Sequence, residues 1–166
     1  MIERNKRLAI GTWMMCSLFF GSCVNAIGEQ QPVAFTTVDV GSGLATPDKP
    51  VTNPSVFILR SSTEWTDQFK ALPLTVQPDM PLISFDDNVF IVVVDGFQST
   101  SGHSITITGV QSSPTGVIVE AVEESPAINC SVQPWDNQPF HIISIPNLSG
   151  SATLNLTHKE TFCGPL

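Results

Sequence analysis

Val89-Phe90-Ile91-Val92-Val93-Val94 is an unbroken apolar run, β-branched at every position except Phe90. A strand with one wet face alternates apolar and polar residues, so a continuous run reads as a strand buried on both faces. Such a strand needs cover on two sides. It therefore belongs at the centre of the fold, with a second layer over each face. Asp86-Asp87-Asn88 just before it has the composition of a turn.

Upstream, Ser61-Ser62-Thr63-Glu64 matches a capping box, and Trp65, Phe69 and Leu72 follow at i, i+4 and i+7. This predicts one short helix over about 62–72, stopped by Pro73, with that apolar face against the sheet. Residues 34–40 read as a β-branched strand that stops at Gly41-Ser42-Gly43. A proline-bearing loop (Pro47, Pro50, Pro54) leads to a short strand, Val56-Phe57-Ile58-Leu59. Pro73 to Pro81 reads as an extended link.

Downstream, Ile105 and Ile107 alternate with polar residues. Ser112-Ser113-Pro114-Thr115-Gly116 is turn chemistry, and residues 117–122 return as the partner of an antiparallel hairpin. Residues 125–139 hold three prolines and read as a long loop. Residues 140–145 are a further strand ended by Pro146, and Ala152, Leu154 and Leu156 mark the last one. The fold class is therefore mainly β (α+β): about seven strands in a mostly antiparallel sheet or sandwich with one short helix packed on it.

The N-terminus has a different character. Arg4, Lys6 and Arg7 precede the apolar stretch 8–20, the pattern of a secretory signal peptide and too short to read first as a membrane span. Two processing readings stand side by side. Val24-Asn25-Ala26 fits cleavage after Ala26, giving a signal peptide over 1–26. Phe20-Gly21-Ser22-Cys23 resembles a lipobox, with a lipoprotein signal over 1–22 and Cys23 lipidated, although Leu is usual where Phe20 stands. Either way residues 27–166 make a single domain. The expectation is an exported bacterial protein, either periplasmic, anchored at the outer membrane by lipid, or secreted.

Seven basic residues stand against fifteen acidic ones, a formal charge of −8. Removal of residues 1–26 takes away three basic residues and one acidic one, so the mature chain is more acidic still. That balance argues against nucleic acid, whose phosphates need basic patches, and against an anionic membrane surface. The membrane contact expected is the N-terminal lipid alone. Of four cysteines, Cys130 and Cys163 remain after processing. In an oxidising compartment they are expected to pair, the alternative being two buried thiols. Neither lies in a CxxC pair, so no zinc site is expected.

Four segments resemble the C-terminal domain of the PrcB-like family, named for an accessory subunit of a secreted bacterial protease complex. They are the capped helix Ser61-Ser62-Thr63-Glu64-Trp65, the run 89–94, Thr100-Ser101-Gly102-His103-Ser104-Ile105, and Gln138-Pro139-Phe140-His141-Ile142-Ile143-Ser144-Ile145-Pro146. The third is similar to the family's T-G-G-Y-x-I turn and the fourth to its Q-P-Y-H-I-V-x-I-P. The likeness spans roughly residues 35–157. Both family tyrosines are replaced, by His103 and Phe140, and one family glycine is replaced as well. The resemblance implies an exported accessory or stabilising domain with no established catalytic residues.

The residues themselves carry little chemistry. His103 sits beside a hydroxyl-rich loop that lacks the strained G-x-S-x-G elbow. His141 lies within a strand, where a structural hydrogen-bonding role is the ordinary one. His158 lies near the tail. Glu123-Glu124 are strand neighbours and point to opposite faces, so they do not form an acid/base pair. No calcium loop, Walker loop or dinucleotide fingerprint is present, and no metal or cofactor is expected. The interaction candidates are Thr100, Ser101, Gly102 and His103 in one loop, and Pro134, Trp135, Asp136, Phe140 and His141 in and beside another. Trp135 reads either as a contact hot spot or as a plug for the end of the core. The expectation is a non-catalytic accessory or interaction domain that binds or stabilises an envelope or secreted protein partner, a protease for instance. A small-ligand-binding or hydrolytic domain with a pocket near His103 and His141 is the alternative, and a loop-type protease inhibitor using residues 131–139 is a third.

Overall fold

The computed structural model describes residues 30–44, 51–71 and 84–163. The signal segment, Cys23, Leu72 and the link from Pro73 to Pro81 lie outside the described residues. The described strands are Gln31–Pro32 (β1), Thr36–Leu44 (β2), Ser55–Leu59 (β3), Asn88–Val94 (β4), Gln98–Thr100 (β5), Ser104–Ser113 (β6), Gly116–Pro126 (β7), Pro134–Pro146 (β8) and Ser151–Thr161 (β9), with one helix, Ser62–Ala71 (α1). They form two sheets, β1-β6-β7-β9 and β2-β8-β4-β3, the second with β5 added on β8. The mainly β, sandwich-like class with one short helix is what the sequence leads one to expect.

The central run behaves as its composition demands. Residues 89–94 are all essentially inaccessible to solvent. Val89, Ile91 and Val93, with Ile143 and Ile145 of β8, meet Ile105, Ile107, Val110, Val117, Val119 and Ala121 of the other sheet. Phe90, Val92 and Val94, with Phe140 and Ile142, face the opposite way and pack with Trp65 of α1. Trp65 and Phe90 meet edge to face, centroids 5.6 Å apart. The sheet β2-β8-β4-β3 is thus a middle layer, covered by the other sheet on one face and by the helix on the other.

The helix starts as the capping box predicts. Ser61 Oγ accepts from Glu64 N at 3.1 Å, while the Glu64 carboxylate reaches back to Arg60 N at 2.7 Å, one residue before the cap. The side chain of Phe69, expected beside Trp65, lies outside what is described. The hairpin β6–β7 turns through Pro114-Thr115, and β9 shows the expected alternation.

Two expectations are corrected. β2 does not stop at Gly41-Ser42-Gly43: it runs on to Leu44, paired with β8 as far as Asn137. Residues 125–139 are not one long loop, because β7 extends to Pro126 and β8 begins at Pro134. Pro126 and Pro134 sit at strand ends, where a missing N–H is tolerated, whereas Pro139 lies inside β8 and its carbonyl accepts from Asp95 N at 2.8 Å. Two short strands, β1 and β5, join the seven expected, and the described strand pairs are antiparallel except for β7–β9.

Candidate functional site

The end of the sandwich where β2, β7 and β9 finish and β6 and β8 begin gathers most of the chain's polar and exposed features. Cys130 and Cys163 form a disulfide there. The bond ties the short connection after β7 to the end of β9, assisted by Ala127 N donating to Thr161 O at 3.1 Å. Ser101 N donates to Gln133 O at 2.9 Å, and Gln133 N returns to Ser101 Oγ at 3.0 Å. The loop before β6 and the strand entering β8 are therefore zipped together. Gly102 turns with φ of +95°, its α-carbon against Pro126.

A cleft of about 220 Å³ opens at this mouth, lined by Ser42, Ser101, Gly102, His103, Trp135 and Asn137. Asn137 organises it. Its Nδ2 donates to Thr100 O and Trp135 O, both at 2.8 Å, and its Oδ1 accepts from Ser42 Oγ at 2.9 Å. The Trp135 side chain is not a core plug, since the residue is 52% exposed. Ile128, Val132 and Phe162, on the disulfide-tied segments, are exposed as well.

Behind the cleft lies a small buried polar group. Asp95, at 1% exposure, accepts from Gly96 N at 2.6 Å and from Gln98 Nε2 at 3.1 Å. Burial pushes its carboxyl up from 3.8 to about 6, and the charge of Glu123 pushes in the same direction, against those two hydrogen bonds. Gln138 is fully buried and holds Asp95 O at 2.7 Å and Val51 O at 3.2 Å. This explains the Gln-Pro start of the motif at 138–146: the amide bridges backbone where the strands diverge.

The histidines separate. His103 Nε2 lies 3.2 Å from Thr100 Oγ1, and its Nδ1 is buried with no hydrogen-bond partner. Burial lowers its pKa and Glu123 opposes the shift. Among the described residues, the hydrogen-bond partner of the ring is the Thr100 hydroxyl rather than a carboxylate. His141 does not line the cleft. It is buried between the sheets, its Nδ1 accepting from Ile107 N at 2.8 Å and its Nε2 3.0 Å from Thr37 Oγ1. Phe140 is buried in the cluster with Val92, Val94 and Ile142, on the face of the central sheet turned away from the other sheet. Both residues were expected to present a surface and are corrected: their positions on a doubly covered strand forbid it. His158, exposed, pairs with Glu123 at 2.9 Å, and Glu124 pairs with Lys159 at 2.7 Å.

Thr100, Ser101 and His103 are half-buried, while Gly102, Pro134, Trp135 and Asp136 are exposed. Ser101, Gly102, His103 and Trp135 meet in one cleft. Asp136 is not among the residues lining it. Ser42, Asp95 and Asn137 were not among the site candidates the sequence offered, and Glu123 was read there only as a strand neighbour of Glu124. Asn137 had a signal, since it lies two residues from Trp135 and so on the same face of a strand. Among the described residues no group of three or more His, Cys, Asp or Glu could hold a metal ion, and no helix is long and apolar enough to cross a membrane.

The fold and this end of it define a two-sheet β-sandwich with one covering helix, disulfide-tied at a mouth that carries an aromatic-lined cleft. Residues 89–146, from the central strand to the end of β8, match the family model described as PrcB C-terminal, which supports a PrcB-like C-terminal domain over that part of the chain. The match takes in three of the four segments that resemble the family and leaves out the capped helix. It suggests a protease-complex-associated domain. No curated protein and no solved structure matches the chain.

Proposed function

We propose that this protein is an exported, non-catalytic accessory domain that docks on a protein partner, a protease of the cell envelope or its surroundings, through the disulfide-tied end of the sandwich. The observation that carries the reading is the exposure there of Ile128, Val132, Trp135 and Phe162, four of the five large hydrophobic residues that stand exposed among the described residues. Exposed apolar side chains gathered on rigidly tied segments are the usual anchors of a protein interface. The disulfide and the Ser101–Gln133 bonds fix those segments before any partner arrives, which lowers the ordering entropy of association. The family match supports a protease complex as the setting.

Affinity capture of the tagged protein from the native cell envelope, with crosslinking and mass spectrometry, tests this. Recovery of one exported protease is expected, reduced at least tenfold by Ile128→Asp with Phe162→Asp. Equal recovery with and without the substitutions would move the interface elsewhere. Repeated captures without a protease would end the reading.

A further inference from the structure

The cleft at the mouth shares Trp135 with the docking surface, but its other lining residues lie outside the disulfide-tied segments and have no part in docking. We propose that it is a binding site for one uncharged sugar ring, a pyranose with its C–H face on the Trp135 indole.

Charge comes first. No Asp, Glu, Lys or Arg lines the cleft. Asp95 and Glu123 are close enough to influence each other and, for Glu123, His103. An anionic ligand would meet repulsion from that side, and no carboxylate in the wall is placed to pair a cation. The occupant that fits is neutral.

Shape and surface come next. Trp135 is half exposed while Asn137, two residues on along the same strand, is buried. Its backbone is held by the Asn137 amide at 2.8 Å, so the indole is presented from a fixed strand rather than a loop. The negative face of an aromatic ring favours polarised C–H groups, and the flat face of a pyranose offers several at once. The volume of about 220 Å³ lies below the range of roughly 300–1,000 Å³ usual for drug-sized ligands, so one ring is the right scale.

The hydroxyls decide between a sugar and a plain apolar group. Ser42 Oγ gives its proton to Asn137 Oδ1 and keeps lone pairs to accept with. Ser101 Oγ accepts from Gln133 N and keeps its proton to donate. The cleft therefore carries one preset acceptor and one preset donor on opposing segments. A sugar hydroxyl satisfies either. A hydrocarbon side chain would cover both and leave the Ser42 lone pairs and the Ser101 proton without a partner, which is unfavourable. Gly102 adds no side chain to the wall.

The test is a titration of the disulfide-intact protein with methyl glycosides of glucose, galactose, mannose and N-acetylglucosamine, followed by amide and indole NMR shifts. Indole serves as a ring without hydroxyls. Saturable shifts at the Trp135 indole and at Ser42 and Gly102 are expected with at least one glycoside. Trp135→Ala should weaken binding at least tenfold and Ser42→Ala several-fold, and Trp135→Phe should retain part of it if the alanine variant is poorly folded. Absence of saturable shifts with every glycoside would overturn the proposal. So would tighter binding of indole that Ser42→Ala leaves unchanged. The proposal stands apart from the docking reading, because Ile128→Asp with Phe162→Asp should abolish capture and leave glycoside shifts in place.

Discussion

At the scale of single residues, two buried titratable groups pull stability in opposite directions with pH. His141 Nδ1 accepts the Ile107 N–H, so that nitrogen carries no proton and the ring donates from Nε2 to Thr37 Oγ1. Burial holds its pKa below 6.5, and Asp39 opposes the shift. A proton on Nδ1 would remove that acceptor from the Ile107 N–H. The unfolded chain binds the proton at 6.5 and the folded chain only at lower pH, so stability is complete above 6.5, falls as pH drops below it, and levels off beneath the depressed folded value. Denaturant midpoints from about pH 7.5 down to about pH 5 should show this decline, and His141→Phe should flatten it while costing about 1–3 kcal/mol at the upper end. Unchanged pH dependence in that variant would remove His141 from the account. Asp95 acts with the other sign. Its folded pKa is raised from 3.8 to about 6, so its penalty is full above 6 and is relieved as pH falls toward 3.8. Asp95→Asn keeps one acceptor oxygen and should raise stability at about pH 7.5 by roughly 1–2 kcal/mol, with the gain gone by about pH 4. A loss at every pH would mean that the two hydrogen bonds to the carboxylate outweigh the burial of its charge.

At the scale of elements, what could be read was what local chemistry decides. The β4 run, the capping box at Ser61 and Glu64, and the Pro114-Thr115 hairpin each carry their signal within a few residues. The course of β2 past its glycines and of β8 through Pro134 and Pro139 depends on partners a hundred residues away, which no local pattern contains. The site divides the same way. Thr100–His103 and Trp135 stand out by composition, whereas Ser42 and Asn137 join them only because β2 pairs with β8. The parallel pair β7–β9 was hidden too, and its origin is a close backbone approach. A Cβ on Gly116 would sit 1.9 Å from Ser151 O, and one on Gly150 2.2 Å from Thr115 O, both at positive φ. Gly116→Ala should therefore cost about 2–4 kcal/mol and remove amide-exchange protection first at 116–118 and 151–153. Wild-type protection there would show that the two strands can part slightly at little expense.

At the scale of the whole molecule, the disulfide and the core do different things. The core between the sheets and the layer under α1 are continuous through β4 and β8, and neither cysteine belongs to either cluster. The bridge instead closes a loop of 33 residues in sequence separation, containing all of β8 and β9 and thus both the central strand's neighbour and the parallel edge. Chain-entropy reasoning assigns a loop of that length roughly 3–4 kcal/mol, acting on the unfolded chain rather than through native contacts. The double substitution Cys130→Ser with Cys163→Ser should then lower the melting temperature by roughly 10 °C and leave the chemical shifts of β4, β6 and α1 where they were. Reductant should reproduce the drop in the wild type and do nothing further to the variant. The exposed segments 128–132 and 162–163 would lose their tie, so partner capture should weaken. The cleft is braced separately by Asn137 and Ser101 and should still take a glycoside with unchanged affinity. If glycoside binding collapsed together with capture, the bridge would be organising the entire mouth, and the cleft and the apolar surface would have to be regarded as one site.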